Sequence, residues 1–178
     1  LGRCTRWGIS AGRPDRAGFS PDGRWVATVG TEGRFGEARV WDVATGEPLS
    51  PSLVHAGKVV AVFSPDGASL LTAGADHAAR LWSLVGGRPA IGPLQHSWER
   101  VKTEGIATGQ HEPTRLQESW LKDDSSLTWG AFSADGQRVV TVSYNGSARV
   151  WDAVTGQAVT PFIRMSLPLE FAAFSPDG

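Results

Sequence analysis

Phe63-Ser-Pro-Asp-Gly67 reads as a strand end running into a tight turn, and the chain writes this phrase four times. The other copies are Phe19-Ser-Pro-Asp-Gly23, Phe132-Ser-Ala-Asp-Gly136 and Phe174-Ser-Pro-Asp-Gly178, with the four phenylalanines 44, 69 and 42 residues apart. A tryptophan follows three of them at a similar distance, in Trp41-Asp42, Trp82-Ser83 and Trp151-Asp152. Self-similarity at roughly 40–45 residues marks a propeller-type array, in which each copy is one sheet that buries its faces only against its neighbours.

The second copy shows how one unit is built. Val59-Val-Ala-Val-Phe63 is a short β-branched run, expected as the innermost strand. Ser64, Pro65, Asp66 and Gly67 match a type I turn position by position. Ser69-Leu-Leu-Thr-Ala73 and Ala78-Ala-Arg-Leu-Trp82 follow as second and third strands, and Gly86-Gly87 turns the chain into an outer segment reaching Leu94. The third copy repeats the plan over residues 128–132, 137–142, 148–151 and 158–163. Proline cannot donate to a ladder, so it belongs at edges and turns. Pro48, Pro51, Pro89, Pro93 and Pro161 all fall in the last strand of a copy, while Pro21, Pro65 and Pro176 fall in the turn.

The expected fold is therefore all-β: a partial β-propeller of four-stranded antiparallel blades, incomplete and not closed. Residues 1–16 read as a remnant of a preceding blade, with Trp7 ending its third strand. Residues 17–54, 55–95 and 128–165 read as blades, 55–95 being the most regular, and 166–178 as the start of the next. Residues 96–127 read as an irregular insertion or, alternatively, a degenerate blade; no strand-like apolar run occurs between Ser97 and Leu127. The chain starts at Leu1 rather than Met and stops inside a repeat phrase, so an excerpt of a longer polypeptide is expected.

These residues resemble the WD-repeat family of β-propellers. The resemblance rests on the Ser-Pro-Asp-Gly hairpin, the Arg-Val-Trp-Asp or Arg-Leu-Trp-Ser end of the third strand, and the Thr-Gly turn after it. It implies a hydrogen-bonded set of His, Ser or Thr, Asp and Trp within a repeat. In the second copy those residues are His55, Thr72, Asp76 and Trp82. The third copy has Thr141 and Trp151, but Asn145 stands at the Asp position and Asp124 where the spacing would put the His. The first has Thr28 and Trp41, with Glu32 as the nearest acid and no histidine. One intact network is thus expected, with Trp41 and Trp151 serving as framework in the other two blades.

Catalytic chemistry is not expected. A nucleophile is needed once, in one activated environment, whereas Ser64, Ser133 and their equivalents recur in every hairpin. Asp22, Asp66, Asp135 and Asp177 recur likewise. His55, His77, His96 and His111 lack metal-ligand spacing, and Gly30, Gly33 and Gly36 lack the Lys-Ser/Thr ending of a phosphate loop. No cofactor is expected. The net charge of −1 makes no electrostatic case for nucleic acid or an anionic membrane. No apolar run approaches the ~18–20 residues of a membrane span. A single cysteine, Cys4, rules out an internal disulfide framework and fits either a reducing compartment or indifference to redox, with a cytoplasmic setting favoured.

The expected function is a non-catalytic interaction module or scaffold, binding a protein or peptide on its loop-rich face and stacking on the remaining blades of a parent chain. The copies resemble WD-repeat arrays of bacterial multidomain proteins, which implies a signalling context. Candidate partner-binding residues are Trp98, Arg100, Trp120 and Lys122 in the irregular segment, and Arg34 and Phe35 in a second-to-third-strand turn about three residues longer than its counterparts. Two alternatives stand beside this reading: a ligand-binding or enzymatic propeller with a central-channel site, and a purely architectural segment. The innermost strands are apolar or small except at Glu170, which weighs against a channel site.

Overall fold

The computed structural model describes residues 14–84, 88–89, 93–96 and 126–177. These form strands and turns, with no helix among the described residues. The first sheet runs in the order β1 (Pro14–Phe19), β2 (Trp25–Glu32), β3 (Phe35–Asp42) and β4 (Leu53–Ala56), each strand antiparallel to the next. The second holds β5 (Val59–Phe63), β6 (Ser69–Gly74) and β7 (Ala78–Ser83); β8 (Arg88–Pro89) and β9 (Leu94–Gln95) share the outer place, both pairing with β7. The third runs β10 (Leu127–Phe132), β11 (Arg138–Ser143), β12 (Ser147–Asp152) and β13 (Ile163–Arg164). β5 packs against β1 and β2, and β10 against β5 and β6, so the first strands converge while the last lie at the rim. Three fanned antiparallel sheets, none closed on itself, make up a partial propeller.

The first three copies of the repeated phrase build the same hairpin. Gly23, Gly67 and Gly136 donate their backbone N–H to the carbonyls of Ser20, Ser64 and Ser133, each at 2.9 Å. The serine hydroxyls donate to Asp22, Asp66 and Asp135 and accept the N–H of Trp25, Ser69 and Arg138. Those serines are buried. Serine and aspartate here close a turn, which is why they recur.

Each outer strand touches the third strand twice, with a break between. In the first sheet Pro48 bridges Trp41, and pairing resumes at Leu53 with Ala38. In the third, Ala158 bridges Trp151 and Ile163 pairs with Ala148. Pro51 and Pro161 stand in the breaks. Hydroxyls patch the ladder there: Val40 N donates to Ser50 Oγ (3.0 Å) and Val150 N to Thr160 Oγ1 (3.1 Å). Arg39 and Arg149 donate to the carbonyls of Ser50 and Thr160 and lie over the rings of Trp41 and Trp151, at 5.1 and 4.9 Å from the centroids.

Two apolar cores lie between sheets rather than within one. Ala27, Val29, Ala38, Val40 and Leu53 of the first sheet meet Val59 and Leu70 of the second, with Trp82 packed alongside. Leu71, Ala73, Ala79, Leu81 and Leu94 of the second meet Leu127, Val139 and Trp151 of the third. At each joint the earlier sheet thus presents an aliphatic face and the later one its Thr–Trp–Arg face.

Candidate functional site

The polar centre of each inter-sheet joint is a histidine from one sheet bonded to a threonine of the next. His55 lies on β4, the outer strand of the first sheet. Its Nε2 is 2.8 Å from Thr72 Oγ1 on β6, and its Nδ1 is 2.8 Å from Asp76 Oδ1 in the β6–β7 turn. Trp82 Nε1 donates to the same Thr72 hydroxyl at 2.7 Å. An indole N–H only donates, so Trp82 donates to Thr72; His55 Nδ1 faces both the Asp76 carboxylate, which only accepts, and Arg80 Nη1 at 2.6 Å, which only donates. Arg80 Nη1 holds the second carboxylate oxygen, Oδ2, at 2.8 Å.

Burial lowers the His55 pKa and prevails over the pull of Asp76. Burial pushes Asp76 up, but the hydrogen bonds from His55 and Arg80 outweigh it and leave the carboxyl below its ordinary value.

The second joint contains a histidine that counting back from Phe132 does not find. His96, at the end of β9, places Nδ1 2.9 Å from Thr141 Oγ1 and Nε2 2.9 Å from Ser147 Oγ; Trp151 Nε1 donates to Thr141 at 2.8 Å. Asp124, which the spacing put at the histidine position, lies outside the described residues. A hydrogen-bonded His–Thr–Trp set therefore occurs at two joints, with an acid beside the histidine only at the first. The histidine is tied to the outer strand before it and not to the inner strand after it, so the long connection 97–125 displaces the count without displacing the bond.

The rings end on different partners for a steric reason. A Cβ on Gly74 would lie 2.4 Å from His55 Nδ1, so that position must stay bare for the imidazole. Ser143 occupies the matching place in the third sheet. There Asn145 Oδ1 accepts from Ser143 and from Ser147 (2.7 Å), and His96 bonds Ser147. Burial, reinforced by Arg149 and His77, lowers the His96 pKa to about 4. The ring also meets Phe162 edge-on at 4.9 Å.

The third sheet carries the same positions, but they are uncovered. Leu53, Leu94 and Ile163 are equivalent by their pairing with Ala38, Ala79 and Ala148. The first two are 1% and 2% exposed, the third 48%. Two residues on stand His55, His96 and Met165, exposed 1%, 1% and 59%.

One edge of the assembly gathers the second-to-third-strand turns together with the connections between sheets. Gly57 N donates to Arg34 O (2.7 Å), Ala75 N to Lys58 O, His96 N to His77 O, Tyr144 N to Ser126 O and Met165 N to Gly146 O. Arg34 is exposed in this edge. The stretch 30–37, expected as a lengthened turn, is instead zipped into the ladder out to Glu32 opposite Phe35, leaving Gly33 and Arg34 as a two-residue turn. A two-residue turn with Gly33 at φ 58° suits a twisted hairpin, so the added residues lengthen strands. Phe35 consequently projects from the outward face of the first sheet, in line with Trp41 and beside exposed Val54. Trp98, Arg100, Trp120 and Lys122 lie outside the described residues, as do Trp7 and His111.

Two further features lie outside the joints. His77, at φ 62°, adopts the left-handed conformation that Gly146 takes in the equivalent turn. Trp129 on β10 has its indole nitrogen buried without a hydrogen-bond partner, its ring 5.2 Å from Phe171. Among the described residues no three His, Cys, Asp or Glu side chains gather as metal ligands.

Comparison with known proteins agrees with the repeat plan. The profile of the WD domain, G-beta repeat, matches residues 46–83 and 122–152. This chain carries WD repeats. A WD repeat-containing protein of Deinococcus radiodurans, itself uncharacterized, is 29% identical over 175 residues, spanning 94% of this chain and 59% of its own length. The pre-rRNA-processing protein IPI3 of Mycosarcoma maydis is 27% identical over 81% of this chain and 23% of its own. WD repeat-containing protein 1 of Xenopus tropicalis is 26% identical over 78% and 26%. The chain thus spans between about a quarter and three fifths of these relatives. WD-repeat proteins in general are non-catalytic scaffolds that bind other proteins.

Proposed function

We propose that this chain is a non-catalytic scaffold segment whose binding surface for a protein or peptide is the edge holding Arg34, Lys58, His77 and Tyr144. The observation that carries the reading is where the repeats differ. The β2–β3 hairpin is extended, and residues 96–126 separate β9 from β10 where Gly57-Lys58 separate β4 from β5; the turn Gly33-Arg34 and the residues His96 and Ser126 that flank the longer connection lie on this edge. Loops that vary over regular sheets are where repeat proteins place recognition. Trp98, Arg100, Trp120 and Lys122 supply aromatic and basic anchors of the kind that dominate interfaces. The same logic removes the histidines from catalysis, since His55 and His96 are spent on the joints. A signalling context in a bacterial multidomain protein fits this role.

Capture of partners from the source organism by the purified chain tests it. Capture should weaken for Trp98→Ala/Trp120→Ala and for Arg34→Glu, with circular dichroism unchanged. Undiminished capture by all of these variants would remove this edge as the binding surface.

A further inference from the structure

Asn145 is the only asparagine in the chain, and it precedes Gly146. In an Asn-Gly pair the following backbone nitrogen can attack the side-chain amide, because glycine brings no side chain to shield it. The fold requires that glycine. Gly146 has φ 81°, and a Cβ there would lie 2.5 Å from Met165 O and 2.7 Å from Leu167 O. Its N–H makes a bond at the long end of the ordinary range, 3.2 Å to Ser143 O. Ser147 N donates back to Asn145 Oδ1 at 3.1 Å, which closes a ring containing both Asn145 Cγ and the Gly146 nitrogen.

Every bond the turn makes to this side chain lands on one oxygen. Oδ1 accepts from Ser147 N, from Ser147 Oγ at 2.7 Å and from Ser143 Oγ. Nδ2 bonds nothing among the described residues, and Asn145 is exposed. Three donors on the carbonyl oxygen draw electron density from Cγ and leave the amine side unheld. A carboxylate would keep all three bonds, since each ends on an oxygen. In the equivalent turn of the second sheet an acid already stands at this position: Asp76, 2.8 Å from His55. At the second joint His96 Nε2 lies 2.9 Å from Ser147 Oγ, and that hydroxyl donates to Oδ1 of residue 145. A carboxylate there would stand one hydroxyl away from the imidazole.

We propose that Asn145 is a modification site that converts itself to aspartate, placing an acid at the second joint where Asp76 stands at the first. The Gly146 nitrogen loses its proton to hydroxide and bonds to Asn145 Cγ. The Cγ–Nδ2 bond breaks, and Nδ2 takes a proton from water and leaves as ammonia. Water then opens the cyclic imide. Opening at Cγ leaves the peptide bond intact and a carboxylate on the side chain; opening at the backbone carbonyl routes the chain through Cγ and adds a carbon to the turn. The donors from Ser143 and Ser147 hold the Cγ carboxylate in place, so the first product prevails. Water is the only reactant consumed, and nothing is oxidised or reduced.

Mass spectra of the folded chain, held warm in mildly alkaline buffer, make the test. The peptide holding Asn145 should gain the mass difference between an amide NH2 and an OH. Its main product should co-elute with the same peptide from Asn145→Asp, apart from a β-linked isomer, and Asn145→Ser should show no gain. In urea unfolding, Asn145→Asp should lose less stability than the parent chain between pH 7.5 and pH 5. The carboxylate favours the His96 imidazolium, against Arg149 and His77, the cations that face it, so the folded chain binds its proton at a higher pH. Absence of the gain in the folded chain, over a time in which the urea-unfolded chain converts, would overturn the site. A chiefly β-linked product, or equal acid losses in the parent and Asn145→Asp, would overturn the role given to the aspartate.

Discussion

His96 stands at the end of the second sheet, yet its Nδ1 lies 2.9 Å from Thr141 Oγ1 of the third, across 45 residues of chain. His55 and Thr72 stand in the same relation one sheet earlier. Each bond crosses from one blade to the next, so it closes a joint rather than finishing a sheet.

Acid should therefore open the structure at its joints. The unfolded His96 titrates near 6.5 and the folded one at about 4. Between those values the unfolded chain binds more protons, so stability is fully present above about pH 6.5 and falls as the pH drops toward 4. The loss from this residue is about 2 kcal/mol at pH 5. His55 and Asp76, both lowered, act in the same direction. Urea unfolding at pH 7.5 and pH 5 should show the loss, with a smaller pH dependence in His96→Gln.

Gly74→Ala should destabilise by about 1–3 kcal/mol, because the added methyl overlaps His55. In a His55→Ala background the same substitution should cost less than about 0.5 kcal/mol, since the overlap is gone. Equal costs in both backgrounds would mean that Gly74 does not make room for the ring.

His77→Gly should stabilise by up to about 1 kcal/mol. A side chain in the left-handed region carries roughly 1–2 kcal/mol of strain, partly offset by the added freedom of glycine in the unfolded chain. Thermal melts of the two proteins make the comparison; a lowered melting point would show that the imidazole contributes more than its backbone costs.

Trp129→Phe should leave stability unchanged or raise it by up to about 1 kcal/mol. The buried, unpartnered indole N–H costs about 1–3 kcal/mol, which offsets the apolar area removed. Phe171 already occupies the matching place on the next inner run. A loss above about 2 kcal/mol would show that the N–H is satisfied.

The blade plan was legible because hairpin chemistry is local. Serine, aspartate and glycine in one pentapeptide specify a turn wherever they fall, and a tryptophan at constant distance marks the third strand. Thr72, Asp76 and Trp82 were legible for the same reason, being close in sequence on one hairpin. His96 was not, because its distance to the following strand is counted through residues 97–125, whose number nothing in the joint constrains. A signal existed all the same: Leu94-Gln95-His96 mirrors Leu53-Val54-His55, and Ile163-Arg164-Met165 continues the series. Reading the histidine from the strand before it would have found both. The extended β2–β3 hairpin looked like a long turn because glycines at 30, 33 and 36 mask a ladder that backbone pairing holds without side chains. The edge proposed for binding differs from the others in the sequence only by loop length, because recognition needs no repeat.

The inter-sheet joint is tested most directly by a double-mutant cycle in urea unfolding, using His96→Phe, Thr141→Val and the pair. A bond across the joint predicts that the two losses fail to add, with a coupling of about 1 kcal/mol or more. Losses that sum within about 0.3–0.5 kcal/mol would show that His96 and Thr141 do not hold the two sheets together.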